Sequence, residues 1–285
     1  SWFSASFSCC SSLPAGAGAV GAVTAPLNPS PVIPAGSGGE YGPVMARTSI
    51  LAEPDAIAAA YGGTRRRSTE LLRTAGPDAV ADRVVPACPQ WTVNQLVAHM
   101  VGAVDDVLAG NVAGAGSDPW TEAQIDRLGS LPVGGLLDHW DEVGPQLEAA
   151  IPAVPPAPAS QMVFDVTTHE HDLRGALGEP GARDTDGLAV GFGFLAKSLD
   201  RLIQAEGLPT LEITTKGRVL TLGDVPDGEE AQVHLAGPLF DLFRSFGGRR
   251  TLAQVRALDW SADPSPYLDA FFGGILKPPG TPLDE

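Results

Sequence analysis

From residue 53 onward the apolar positions recur at helical spacing. Ile57, Tyr61, Leu71 and Leu72 form one face behind Pro54, which suits the first turn of a helix, and Gly62-Gly63 weakens its middle. Thr92 and Gln95 have the spacing of a capping box, so a helix is predicted to begin at Thr92. Val93, Leu96, Val97, Met100, Val101 and Val104 then share one stripe, with His99 at its edge. A polar, Gly-rich connection covers 110–118, and Leu136, Leu137, Trp140, Val143, Leu147 and Ile151 mark a further amphipathic helix. The Pro-rich stretch 151–159 reads as a loop or linker. The segment 165–178 reads as a helix stopped by Gly178, and 187–204 as a helix with Leu188, Phe192, Leu195, Leu199 and Leu202 on its face. The period then shortens to two. Strands are predicted at 210–215, 219–223 and 231–236, with turns at Gly217 and Asp227-Gly228. A helix over 238–244, the run Gly247-Gly248-Arg249-Arg250, a helix rich in Ala and Leu, Trp260 and 267–272 close the chain. Helices first and a short sheet afterwards make an α+β chain.

Composition changes this picture at one end. Residues 1–44 contain one charged residue, Glu40, and no apolar period, so they cannot bury enough surface to offset their ordering entropy. They are expected to be disordered, or an untranslated leader ahead of Met45, the first Met. Cys9-Cys10 is read as an accidental pair within them. The whole chain has 285 residues, 44% apolar, and a formal charge of −16. Such acidity repels phosphate backbones and anionic lipid surfaces, so nucleic acid and membrane are not expected partners. Three cysteines rule out a disulfide framework, and no apolar run is long enough to span a bilayer.

Candidate chemistry is concentrated in two helices. Asp165 and His169 are four residues apart and share a face, with Asp172 one turn further. That spacing serves either a transition metal or an Asp–His hydrogen bond on a helix surface. His99 alone reads as a core histidine, His139 as surface, His171 as pointing away from the Asp165–His169 face, and Cys88 as structural. Arg65-Arg66-Arg67 reads as a solvated helix face.

Together, Cys88-Pro89-Gln90-Trp91-Thr92-Val93, Leu96-Val97-Ala98-His99 and Asp165-x-x-x-His169-x-x-Asp172-Leu173 resemble the mycothiol-dependent maleylpyruvate isomerase family, within the DinB-like metal-binding superfamily. The later stretches Leu242-Phe243-Arg244-x-x-Gly247-Gly248-Arg249-Arg250 and Leu258-Asp259-Trp260-Ser261-Ala262-Asp263-Pro264 resemble the sterol-carrier-like domain of the same family, and the resemblance covers about 51–278. It implies a DinB-like four-helix bundle over 45–182 followed by a small sterol-carrier-like α/β domain over 183–285. It implies zinc, or another divalent metal, on His99, Asp165 and His169, where the isomerase of that family has Glu in place of Asp165. It implies mycothiol as thiol cofactor, a small electrophilic substrate, and a catalytic arginine carried over to Arg249, with Arg244 the alternate. A cytoplasmic, actinobacterial monomer or homodimer is the expected setting.

Two imidazoles and a carboxylate leave a fourth tetrahedral position open, and the resulting +1 centre favours an incoming thiolate. The expected activity is thiol addition to an electrophilic carbon, as isomerisation or S-transfer. A non-catalytic lipid- or small-molecule-binding protein with a structural metal is the reading of a different class, and metal-dependent hydrolysis a lesser one.

Overall fold

The computed structural model describes residues 49–285 except 216, 227, 228 and 275. The expected leader over 1–44, with Cys9-Cys10, and the expected turn at Asp227-Gly228 lie outside the described residues.

Ten helices and six strands follow in order among the described residues. They are α1 (Pro54–Ala75), α2 (Pro77–Val80), β1 (Val84–Val85), β2 (Cys88–Thr92), α3 (Val93–Leu108), α4 (Asp118–Leu128), α5 (Val133–Ala150), α6 (Pro156–Leu177) and α7 (Asp186–Glu206). The remainder are β3 (Leu211–Thr215), β4 (Arg218–Leu222), β5 (Val233–Ala236), α8 (Leu239–Phe246), α9 (Leu252–Arg256), β6 (Asp259–Trp260) and α10 (Ser265–Phe272). The first part is a four-helix bundle, because α1 packs on α5 and α6 while α3 packs on the same two helices from the opposite corner. The fold is α+β, with this helical part first and a sheet part after it.

Helix α3 begins as its sequence dictates. The Thr92 side chain accepts from the backbone N–H of Gln95, and the Gln95 side chain accepts from the N–H of Thr92. Its stripe is fully buried, from Val93 to Val104. Helix α6 ends at Gly178, whose φ of 69° places it in the left-handed region that caps helices.

The Pro-rich stretch 151–159 is not a loop. A turn of 3₁₀ helix covers Ile151–Ala153, and α6 starts at Pro156. Pro156 and Pro158 fall in the first turn, where the N–H groups they lack would have no intrahelical partner. Helix α4 is an element that the sequence pattern did not disclose.

The arginine run is not a solvated face either. Arg65 is buried and donates to Glu148 and Asp141, both at 2.7 Å, while Arg67 forms two bonds to the fully buried Glu170. Arg66 alone of the three keeps a largely exposed side chain, 61%.

Apolar side chains gather in two clusters. One fills the bundle around Leu96, Leu136, Trp140 and Val163, and the other lies around Phe192, Leu211, Leu235, Phe243 and Tyr267. The four-stranded sheet has the order β4-β3-β5-β6. The β3–β4 pair is an antiparallel hairpin with Leu211 opposite Leu222, β5 runs parallel to β3 with Leu211 opposite Val233, and β6 returns antiparallel to β5. Helix α7 packs against α1 and α6 and also against β4, α8 and α10, so it touches both layers.

Candidate metal centre

His99 sits in the second turn of α3, and Asp165 and His169 sit one turn apart on α6. Each offers one ligand atom, and the three atoms lie within 4.8 Å of one another. His99 Nε2 is 3.6 Å from Asp165 Oδ2, and His169 Nε2 is 3.6 Å from Asp165 Oδ1. Those separations are too long for hydrogen bonds. They are close to the edge of a tetrahedron of donors about 2.0–2.1 Å from a central ion, roughly 3.3–3.4 Å. The imidazole rings meet edge to face, with centroids 5.2 Å apart.

The far nitrogens of both rings are already spoken for. His99 Nδ1 lies 2.7 Å from Gln124 Oε1, and His169 Nδ1 lies 3.0 Å from Asp172 Oδ2. An acceptor at each Nδ1 puts the proton there and turns the Nε2 lone pair toward the centre. The residues present therefore fit a divalent ion: two neutral imidazoles, one carboxylate, and a donor arrangement that leaves a fourth position.

Asp172 is one point at which side chains of the later part of the chain reach the bundle. Its Oδ1 accepts from Arg244 Nη2 at 2.8 Å and from Arg249 Nε at 3.2 Å, and its Oδ2 accepts from Arg249 Nη2 at 2.9 Å. Burial opposes the charge on Asp172, but Arg249, Arg244 and His169 hold its carboxyl well below the usual range. Both arginines from the resemblance are thus found on this carboxylate. Arg244 is 0% exposed and also donates to Glu285 and to the carbonyl of Thr168, and Arg249, 7% exposed, is buried beside it. Cys88, His169 and Asp172 form a second group of possible ligand atoms. There Asp172 is saturated by guanidinium groups, and the buried Cys88 Sγ is 3.7 Å from Arg249 Nη2 and 3.8 Å from Asp172 Oδ2. That group braces His169 rather than opening onto a ligand.

The side chains of His99 and His169 are 5% exposed, while that of Asp165 is 22% exposed. Trp91 of β2 stands beside both imidazoles, with ring centroids 5.5 and 6.4 Å away. Burial opposes the charge on Asp165, but His169, His99 and Arg249 lower its carboxyl below the ordinary range. Burial pushes the Tyr61 phenol up, and the Asp165 charge adds to that, so the hydroxyl remains a donor. His171, expected to point elsewhere, packs its ring on Phe240 at 4.9 Å, and burial lowers its imidazole to about 3. His139 is partly exposed and lies 2.9 Å from Asp105.

The sequence reading missed Gln124 and Asp106. The available signal was Asp106, two turns after His99 on the same face of a helix otherwise apolar there.

Residues 61–179 match the family model described as the mycothiol maleylpyruvate isomerase N-terminal domain. No curated protein matches the chain. One similar solved structure is described as the crystal structure of the mycothiol-dependent maleylpyruvate isomerase, at 15% identity, covering 80% of this chain and 97% of that chain with a TM-score of 0.44.

Proposed function

From the match of residues 61–179 to the mycothiol maleylpyruvate isomerase N-terminal domain model, we propose that this chain is a metal-dependent enzyme that uses a low-molecular-weight thiol, mycothiol, on a small electrophile, with maleylpyruvate-type isomerisation as the leading reaction. The observation that supports this most is the convergence of His99, Asp165 and His169 within 4.8 Å, each imidazole held from behind by an acceptor.

His99 Nε2, His169 Nε2 and a carboxylate oxygen of Asp165 would hold the ion, zinc in the first instance. Bound there, metal and thiol supply a nucleophilic thiolate, whose reversible addition to a cis double bond permits the rotation that gives the trans product. Asp172 keeps His169 in the tautomer that offers Nε2. Trp91 walls the centre and limits water. Arg249 is proposed to receive the substrate carboxylate or the enolate charge as well as to brace Asp172, and Arg244, fully buried, to hold Asp172. The same proposal divides the chain into a bundle over 45–182 and an α/β domain over 183–285, acting as a monomer or homodimer. A cytoplasmic setting belongs to it as well. No helix among the described residues is long and apolar enough to cross a membrane.

Elemental analysis of freshly purified protein, followed by calorimetric titration with mycothiol, tests the reading. About one zinc per chain, lost in His99→Ala and in His169→Ala, with thiol binding only to the zinc form, is the expected result. Absence of metal together with co-purified lipid would replace this reading with a binding protein, and turnover without any thiol would replace it with a hydrolase.

A further inference from the structure

Helix α4 lies on the outside of the bundle, and of its residues only Gln124 and Leu128 are buried. Gln124 is 0% exposed. A primary amide in that position must have partners for both its ends. It has them, and they fix its direction. Gln124 Nε2 donates to Asp106 Oδ2 at 2.8 Å. An ionised carboxylate can only accept, so the NH₂ end faces Asp106 and the carbonyl end faces His99. With Oε1 2.7 Å from Nδ1 of His99, the ring must carry its proton on Nδ1. The other tautomer would set two lone pairs against each other.

We infer that Gln124 is a positioning residue of the metal centre: clamped by Asp106, its amide locks His99 in the tautomer that presents Nε2 to the ion. The inference rests on the metal reading above. Asp106 is itself immobilised, accepting from Arg127 Nη2 and Asn111 Nδ2, both at 3.1 Å. The approach of α4 to α3 is set by Gly102, one turn after His99. A Cβ at Gly102 would lie 2.7 Å from the Cβ of Gln124, closer than two carbons can sit. Arg127 Nη2 closes the same crossing on the carbonyl of Gly102 at 3.3 Å. The two histidines are thus held differently. His169 leans on a carboxylate that two guanidinium groups neutralise, and His99 leans on a neutral amide polarised by a carboxylate one bond further out. The second arrangement orients the ring without placing a full negative charge on it.

Zinc affinity measured by competition with a chromophoric chelator, alongside long-range proton–nitrogen NMR of His99 in the metal-free protein, tests the assignment. Gln124→Leu is expected to bind zinc about 10–100-fold more weakly, the range for loss of such an outer partner, and to show mixed His99 tautomers. The double variant Gln124→Glu with Asp106→Asn reverses the polarity of the bond between positions 124 and 106 but keeps an acceptor at Nδ1, and should regain most of that affinity. Gly102→Ala, which forces Gln124 outward, should weaken zinc in the same direction. Wild-type zinc affinity in Gln124→Leu, or His99 protonated only at Nδ1 in it, overturns the positioning role while leaving the metal centre in place. If the double variant is no better than Gln124→Leu, the role is overturned too. Wild-type protein that binds no zinc overturns the metal reading, and the inference with it.

Discussion

Asp172 accepts from Nδ1 of His169 at 3.0 Å, one turn away on α6, and the same carboxylate carries both Arg244 and Arg249. Breaking a buried ion pair by removing one partner leaves the other charge without compensation, which costs about 3–5 kcal/mol. Asp172→Ala is therefore expected to lower stability by about that amount in urea denaturation of the metal-free protein. A loss below about 1 kcal/mol would mean that water reaches the guanidinium groups and that the site is wetter than its burial indicates.

The start of α3 offers a milder test. Thr92→Ala removes the side-chain half of the capping box, and such substitutions cost about 1 kcal/mol. The urea midpoint should fall accordingly, with unchanged slope. His99 lies two turns into α3, so zinc affinity is expected to stay close to wild type.

Asp200 gives a pH dependence away from the centre. Burial opposes its charge, but the Lys197 amine, the N–H of Gly223 and the amide of Gln204 outweigh it and lower its carboxyl below the ordinary range. Its contribution to stability is complete above the unfolded value of about 3.9 and is lost as pH falls through the lower folded value. Asp200→Asn should thus be less stable than wild type at pH 7 and approach it toward pH 3. Parallel stability curves for the two proteins across that range would show that the shift is not realised.

Arg65 provides a test of the bundle itself. It donates to Glu148 and Asp141 at 2.7 Å from a side chain only 7% exposed. Hydrogen bonds to charged groups contribute about 1.5–3 kcal/mol. Arg65→Met, similar in length and apolar, should lower stability by about 2 kcal/mol, read from thermal or urea unfolding. Arg66→Met, whose side chain is 61% exposed, should change it little.

These residues also mark how far the sequence could be read. The cap and stripe of α3 and the Asp165–His169 spacing are local, so they were legible without a structure. The convergence of His99 on that pair came from family resemblance, since no local pattern links residues in separate helices. Gln124 was invisible for the same reason, because α4 acquires its meaning only when Gly102 lets it dock. Arg65 and Arg67 looked solvated because Asp141, Glu148 and Glu170, which bury them, lie far along the chain. The prolines of 151–159 suggested a loop because their helix-breaking effect does not apply to a first turn.

Asp172 on α6 is gripped by Arg244 in the last turn of α8 and by Arg249 just beyond it, and its Oδ2, shared with Arg249, also steadies His169. Free-energy coupling between such sites is reciprocal. A change that alters the hold on His169 and a change that alters the seam between bundle and sheet are therefore each felt at the other by the same amount. In the proposed enzyme the sheet part would thus bear on a metal ligand it does not touch, because one carboxylate on α6 serves both His169 and the two arginines.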